Sequence, residues 1–291
     1  MEIEAKVLGQ QVAYPTDYCP SILVPVPRSL NREMYDIRQP EELFCGYDTW
    51  HAYEAGFITR KGLPVCGVLK IVYPSTSKKL VESKSLKLYL NSFNMARLGE
   101  NVSEGIRLFT QTVQSDLQEL LNTSVQVCFH EKLPDRIPFD FEGYTLLEEI
   151  PLNQETEFTE YNEAPALLRQ TIQPGGEIKV YSNLLRSNCK ITKQPDWGTL
   201  YVWIKAQQLP SPVSLLKYIV SLRNENHFHE EICEMTYKRL WDLFHPEILS
   251  VSCLYTRRGG IDICPSRANR KEYLPSYLHT PEILTRRNLR Q

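Results

Sequence analysis

The strongest constraint on this chain is that part of it is written twice. Leu88-Tyr89-Leu90-Asn91-Ser92-Phe93 lines up with Lys217-Tyr218-Ile219-Val220-Ser221-Leu222 at an offset of 129 positions, and each copy is followed by a helix-patterned and then a strand-patterned stretch. Such a repeat predicts two like units, and 291 residues supply enough chain for both to bury a core. Ahead of the first copy, Val65 to Tyr73 reads as a strand. After it, Thr110 to Leu121 reads as a helix with Val113, Leu117, Leu120 and Leu121 on one face, and Ser124 to Phe129 as a strand. In the second unit, Leu200 to Lys205 is predicted as a strand and Pro212 to Arg223 as a helix with Ser211 as N-cap. His229 to Phe244 follows as a helix showing Cys233, Tyr237, Leu240, Trp241 and Phe244 on one side, then Ile248 to Tyr255 as a strand.

Between the copies lies Pro134 to about Pro174, rich in acids, Pro, Asn and Thr and closed by Pro174-Gly175-Gly176. It reads as a linker, so the expected division is 1–133, linker 134–174 and 175–291. Strands and helices in blocks, without regular βαβ alternation, predict an α+β fold of mostly antiparallel sheets with helices packed on one face. The 33 Lys and Arg against 35 Asp and Glu leave a formal charge of -2, which excludes a chain-wide nucleic-acid footprint and makes any polyanion site local. No stretch reaches the ~18 apolar residues of a membrane span, and Met1-Glu2-Ile3-Glu4-Ala5-Lys6 carries acids where a signal peptide carries bases. The expectation is a soluble, cytoplasmic protein without a membrane partner. Eight cysteines at irregular spacing, with no C-x-x-C, read as reduced thiols, mostly core, one of them a candidate nucleophile.

No G-x-G-x-x-G follows a strand, and G-x-x-x-x-G-K-[ST], G-x-S-x-G and H-E-x-x-H are all absent, which sets aside the common nucleotide, hydrolase and metalloprotease templates. Four segments carry chemistry instead. Val81-Glu82-Ser83-Lys84-Ser85-Leu86-Lys87 places a carboxylate beside two lysines and two hydroxyls, a set suited to phosphates and a ring N–H, though a solvated charged face is the plainer reading. Ser187-Asn188-Cys189-Lys190-Ile191-Thr192-Lys193-Gln194-Pro195-Asp196-Trp197-Gly198 offers a thiol near two lysines, with a carboxylate beyond a Pro turn to carry protons. A buried thiol next to a strand-leading turn is the plainer reading. In His227-Phe228-His229-Glu230-Glu231 the acids suit the first turn of a helix, and a zinc site there lacks a cysteine at ligand spacing. In Tyr255-Thr256-Arg257-Arg258-Gly259-Gly260-Ile261-Asp262 an Arg pair precedes a Gly pair, allowing backbone and guanidinium to approach a phosphate together; a β-turn with solvated arginines is the alternative. From residue 257 onward eight Lys and Arg face three Asp and Glu, so a weak RNA-facing patch is a further reading of the tail.

In their order, these segments resemble the 7-cyano-7-deazaguanine reductases, the NADPH-dependent nitrile reductases of queuosine biosynthesis, in their long two-unit form. The resemblance runs from Pro25-Val26-Pro27-Arg28-Ser29-Leu30-Asn31-Arg32 through Glu82-Ser83-Lys84-Ser85, Ser187-Asn188-Cys189 and Gln194-Pro195-Asp196-Trp197-Gly198 to Phe228-His229-Glu230 and Thr256-Arg257-Arg258-Gly259-Gly260. It implies tandem tunnelling-fold units, with Cys189 as nucleophile and Asp196 as proton donor. It implies a substrate site of Val81, Glu82, Ser83, His229 and Glu230, and an NADPH site of Ser83, Lys84, Arg258 and Gly259 assisted by Lys87, with no metal. Asp262-Ile263-Cys264-Pro265-Ser266-Arg267 departs from the family, with Cys264 and Ser266 where Asn and Trp are expected, which bears on local packing or cofactor affinity.

The chemistry accounts for these residue types. A thiolate added to a nitrile makes a thioimide, a C=N group that accepts hydride once its nitrogen is protonated. Nitrile to amine takes four electrons, hence two NADPH in turn. One carboxylate can accept the adjacent N–H and NH2 donors of a deazaguanine, which suits Glu230, and Phe228 stands where it can stack on the ring. The partners expected are the small deazapurine and a second copy in a homodimer, without direct nucleic-acid contact. A zinc cyclohydrolase of the same fold and a non-catalytic purine- or RNA-binding module are the alternatives.

Overall fold

The computed structural model describes residue 15 and residues 17–150, 156–171 and 175–291; Met1–Lys6 and Pro174, singled out above, lie outside the described residues. In chain order the first half contains β1 Pro25–Pro27, β2 Cys45–Ile58, β3 Pro64–Pro74, β4 Lys79–Val81, α1 Ser83–Asn91, α2 Val102–Leu121 and β5 Gln126–His130. After β6 Thr145–Leu146, the second half runs β7 Gly176–Cys189, β8 Pro195–Ala206, α3 Pro212–Ser221, β9 Asn226–His227, α4 His229–Phe244, β10 Ile248–Tyr255 and β11 Ile261–Ala268. The repeated hexapeptides fall at equivalent places in α1 and α3, which begin 129 positions apart, and, the short β4 and β9 aside, β2-β3-α1-α2-β5 and β7-β8-α3-α4-β10 follow the same order.

Local chemistry sets the helix ends. Ser211 caps α3 by accepting the Ser214 N–H at 3.1 Å, as expected. Helix α4 has the bounds read from the sequence and buries Cys233, Tyr237, Leu240 and Phe244 on one face. Helix α2 begins eight residues before the predicted start: Asn101 Oδ1 accepts from Glu104 N at 3.0 Å, and the buried face continues through Gly105. A Cβ at Gly105 would meet the Phe57 ring at 2.3 Å, so the residue that breaks the apolar period is the one that lets the helix sit on the sheet.

Among the described residues, the strands join in one sheet of order β5-β3-β2-β11-β10-β8-β7-β6, with β9 also on β7; β1 and β4 form a separate antiparallel ribbon. The two halves meet where β11 pairs antiparallel with β2, from Ile261↔Ala52 to Ala268↔Cys45, so they share one continuous sheet. The fold is α+β and predominantly antiparallel. Helices α1 and α2 cover the first-half strands over a core of Leu69, Ile71, Tyr89, Phe109, Val113 and Leu117; α3 and α4 cover the second over Leu200, Val202, Leu215, Ile232, Tyr237 and Val251.

A buried ion network locks this seam. Asp48 of β2 accepts from Arg28 and forms an ion pair with Arg267 of β11 at 2.9 Å. Glu234 of α4 accepts from Arg32 and from Arg267, each at 2.8 Å. Burial alone would raise the Glu234 carboxyl, but Arg267, Arg32 and Arg28 hold it down at about 2.

The sheet's other face is covered by segments that flank the halves. Phe141 stacks on Tyr201 with centroids 3.9 Å apart, and β6 pairs with Val180 and Tyr181 of β7. Glu163 accepts from Tyr218 at 3.0 Å and from Arg239 at 2.9 Å. The described parts of the expected linker therefore pack closely on the second half. Residues 276–291 run over the same far face: Lys70 donates to the carbonyls of Tyr277, Thr280 and Ile283 at 3.1, 2.9 and 2.6 Å, and burial pulls its ammonium down to about 8.

A candidate active site between the two halves

The turn from β7 to β8 brings a thiol and a carboxylate together. Cys189 ends β7; its N–H donates to Gln194 O at 2.8 Å, its carbonyl accepts from Lys193 N at 3.0 Å, and Lys193 takes a left-handed φ of 59° to close the turn. Pro195 then opens β8, and Asp196 follows as its first buried position. Both side chains line a cavity of about 460 Å³, within the range of small-molecule sites. Asp196 Oδ1 accepts from Arg258 and lies 3.8 Å from His229 Nε2. Arg258 also reaches Gln194 Oε1.

The start of α4 forms an adjacent wall. Glu231 reaches back to the Phe228 N–H at 3.1 Å, accepts from His227 Nδ1 at 3.0 Å and takes Lys190 Nζ at 3.4 Å. Lys190, expected from spacing to favour the thiolate, thus has its charge matched by Glu231. With Glu231 spent on the helix start, Phe228, His229 and Glu230 line the cavity. His229 packs edge-on against the Tyr255 ring at 4.1 Å, and burial lowers its pKa, favouring neutral imidazole. Glu230 is buried, and its Oε1 has no hydrogen-bond partner among the described residues; burial and the nearby Asp48 carboxylate push it up to about 8.

The opposite wall comes from the first half. Val81, Ser83, Lys84 and Lys87, at and beyond the start of α1, line the cavity, and so do Arg258 and Gly259 in the β10–β11 turn. Gly259 has φ 57°, and a Cβ there would lie 2.3 Å from Lys87 Nζ, so glycine lets this turn close over the lysine. Three cations and an open backbone fit a cofactor that carries phosphates.

Glu82 differs from expectation. It was expected against the substrate, but it does not line the cavity: its carboxylate caps α1, accepting from Lys84 N at 2.8 Å and Ser85 N at 2.7 Å. The helix start needs an acceptor there, and Glu82 supplies it while fully buried; burial raises its pKa. Glu82 and Ser85 are buried, so the solvated-face reading of that segment does not hold for them.

The cavity has further walls that sequence reasoning did not assign: Trp50, Leu80, Ile261 and Ile263, with Thr192 and His227. Alternation in Ile261-Asp262-Ile263-Cys264 was the available signal for the two isoleucines. Trp50 gave none, because β2 was not read as a strand. The two departures from the family pattern are both buried: Ser266 Oγ has no hydrogen-bond partner among the described residues, and Cys264 lies on the sheet's far face, away from the cavity.

Residues 14–129 match the family model described as "Nitrile reductase, 7-cyano-7-deazaguanine-reductase N-term", and residues 195–274 match that of "QueF-like protein"; Cys189 lies between the two matches. The NADPH-dependent 7-cyano-7-deazaguanine reductase of Acinetobacter baumannii (strain SDF) is 36% identical over 277 residues, covering 94% of this chain and 97% of that protein. The protein of the same name from Coxiella burnetii (strain RSA 331 / Henzerling II) is 39% identical over 269 residues, 91% of this chain and 92% of its own. The crystal structure of the archaeosine synthase QueF-Like in the apo form is 16% identical, covers 34% of this chain and 95% of its own, and has a TM-score of 0.29, too weak a likeness to bear on the fold.

Proposed function

This chain belongs to the 7-cyano-7-deazaguanine reductases, the NADPH-dependent nitrile reductases, and from that premise we propose that it reduces the nitrile of 7-cyano-7-deazaguanine to the 7-aminomethyl compound through a thioimide on Cys189, in the service of queuosine biosynthesis. The Cys189 sulfur attacks the nitrile carbon, and the thiol proton travels by way of Asp196 to the nitrile nitrogen. Ser83, Lys84, Lys87, Arg258 and Gly259 would hold the nicotinamide cofactor, which would supply one hydride per molecule, two in all. After the first hydride reaches the thioimide carbon, the sulfur leaves, and the resulting imine stays in the cavity for the second. Asp196 again delivers the proton that nitrogen needs.

Glu230 accepts the ring N–H and exocyclic NH2 of the base, and Phe228 covers its face; Val81 and His229 complete the enclosure. Glu82 acts through the start of α1, fixing Ser83 and Lys84. In the same reading the protein works in the cytoplasm as a homodimer, with 1–133 and 175–291 as its two units. Family membership sets aside the zinc cyclohydrolase and the non-catalytic module.

The observation that carries this mechanism is that Cys189 and Asp196, at the two ends of one turn, open on a cavity whose far wall holds the first half's lysines. The test is to mix the protein with the nitrile alone and record intact mass. One adduct on Cys189 is expected, absent from Cys189→Ala; an adduct that persists in that variant would refute the assignment.

A further inference from the structure

Strands β2 and β11 carry a second cluster on the face away from the reductase cavity. Trp50, Ile261 and Ile263 line that cavity, and the alternation of a strand turns their neighbours His51, Asp262 and Cys264 to the other side. His51 and Asp262 are direct cross-strand partners, and Cys264 follows two residues along β11. All three are almost fully buried, and an imidazole nitrogen, a carboxylate oxygen and the sulfur lie within 4.8 Å of one another. His51 Nδ1 is 2.7 Å and Cys264 Sγ 3.6 Å from Asp262 Oδ1. The other oxygen, Oδ2, is engaged by Tyr53 OH at 2.6 Å and Arg287 at 2.7 Å, so the carboxylate is anchored with Oδ1 facing the nitrogen and the sulfur.

Two buried polar atoms at this cluster lack hydrogen-bond partners among the described residues. One is His51 Nε2. Gln291 places Nε2 3.3 Å from Cys264 Sγ, while its Oε1 is buried without a partner. The two ends of an amide are interchangeable in placement, and turning this one over brings an oxygen to the sulfur.

We propose that His51, Asp262 and Cys264, with the side-chain oxygen of Gln291, bind a thiophilic divalent cation of the zinc class. One nitrogen, one sulfur and two oxygens make a four-coordinate set that suits zinc; calcium or magnesium would ask for oxygens alone. The ion enters as M²⁺, the Cys264 thiol releases its proton to solvent, and the proton His51 shares with Asp262 moves to the imidazole nitrogen that does not ligate; the thiolate offsets one charge of the ion, and the Asp262 carboxylate is shared between the ion and Arg287. Arg287 and Tyr53 keep the oxygen they already hold and orient the ligating carboxylate. The site lies away from the His227–Glu231 segment weighed above for zinc, and no hydride or proton of the reduction passes through it.

The test uses the full chain, freed of metal by dialysis against a chelator and titrated with cobalt(II) as the spectroscopic probe. One equivalent should bind, with a thiolate-to-cobalt charge-transfer band and the visible bands of tetrahedral cobalt. Zinc should displace it one for one. Cys264→Ser should abolish the charge-transfer band, and His51→Ala should weaken binding by at least roughly tenfold, with far-UV circular dichroism unchanged. Cys66→Ser, at an exposed cysteine, should alter nothing. No tetrahedral cobalt spectrum in the unmodified chain would overturn the proposal, and so would a band that survives Cys264→Ser. Should Cys264→Ser fail to fold, the unmodified chain's spectrum and His51→Ala decide.

Discussion

The hairpins β2–β3 and β7–β8 are the same object with different contents. Strands β2 and β7 each have 14 residues, both second strands open on proline, and Gly67 and Gly198 stand at equivalent places in them. Both hairpins slip register part-way, at Ala52/Ala55 and at Ser182/Leu185. At this correspondence, 131 positions apart, Ile58 stands where the second half has Cys189, and Val65 where it has Asp196. The helices reverse the assignment: Ser83, Lys84 and Lys87 of α1 correspond to Pro212, Val213 and Leu216 of α3, the last of which is core. Each half has kept the part of the chemistry that the other has replaced by apolar packing. The cavity is complete only where the two kinds of end face each other.

The largest effect expected from this division is at the hairpin ends. Cys189→Ala should lower nitrile-dependent NADPH oxidation by at least ~10³-fold, since the proposed covalent route is lost. Ile58→Ala, at the matching position, should leave kcat of the folded protein intact and cost about 2–4 kcal/mol in denaturant unfolding. A loss of kcat in Ile58→Ala comparable to that of Cys189→Ala would break the comparison. Next, Asp196→Asn should slow turnover by ~10²-fold or more in single-turnover assays; a normal rate across the pH range would make Asp196 structural.

The other pair of ends gives smaller effects. With the free Glu230 carboxyl near 8, the base must bind to its ionised form, so affinity for the nitrile should rise about tenfold per pH unit up to about pH 8 and level off above it. Equilibrium titration of Cys189→Ala with the nitrile measures this, and Glu230→Gln should flatten the profile while weakening binding. Lys87→Ala should raise KM for NADPH roughly tenfold with kcat little changed, whereas Leu216→Ala, its counterpart, should act on stability alone. Equal KM effects from both substitutions would show that the two helix faces are not specialised.

The parts legible in the sequence were those with a one-sided environment. Helix α4 and strand β10 lie where expected because α4 has a continuous apolar stripe and β10 is a short run bounded by a helix and a turn. Strand β11 alternates only over Ile261-Asp262-Ile263, too short a run to mark a strand, and it is buried at every position, Asp262, Ser266 and Arg267 included. The ion network was likewise illegible, since Arg28, Asp48, Glu234 and Arg267 come from separate elements and meet only in the fold. For the site, Cys189 and Asp196 could not be distinguished by spacing from a buried thiol beside a turn, and it was the order of several motifs along the chain that singled them out. Glu82 was visible as a motif residue, but its capping geometry was not, because glutamate is an uncommon N-cap.

The β2–β11 seam also has a consequence for how the molecule is made. A ribosome releases β2 early and β11 near the end, so throughout most of synthesis β2 has β3 on one side and a bare row of N–H and C=O groups on the other. The first half can collapse on its own helices, yet its edge closes only when the last strand arrives, and with it Arg267, which completes the contacts of Asp48 and Glu234. Slow, long-range closure of this kind favours chaperone dependence and leaves nascent or truncated chains liable to pair with one another through β2. Selection on this sequence therefore acts on the waiting edge as well as on the finished enzyme.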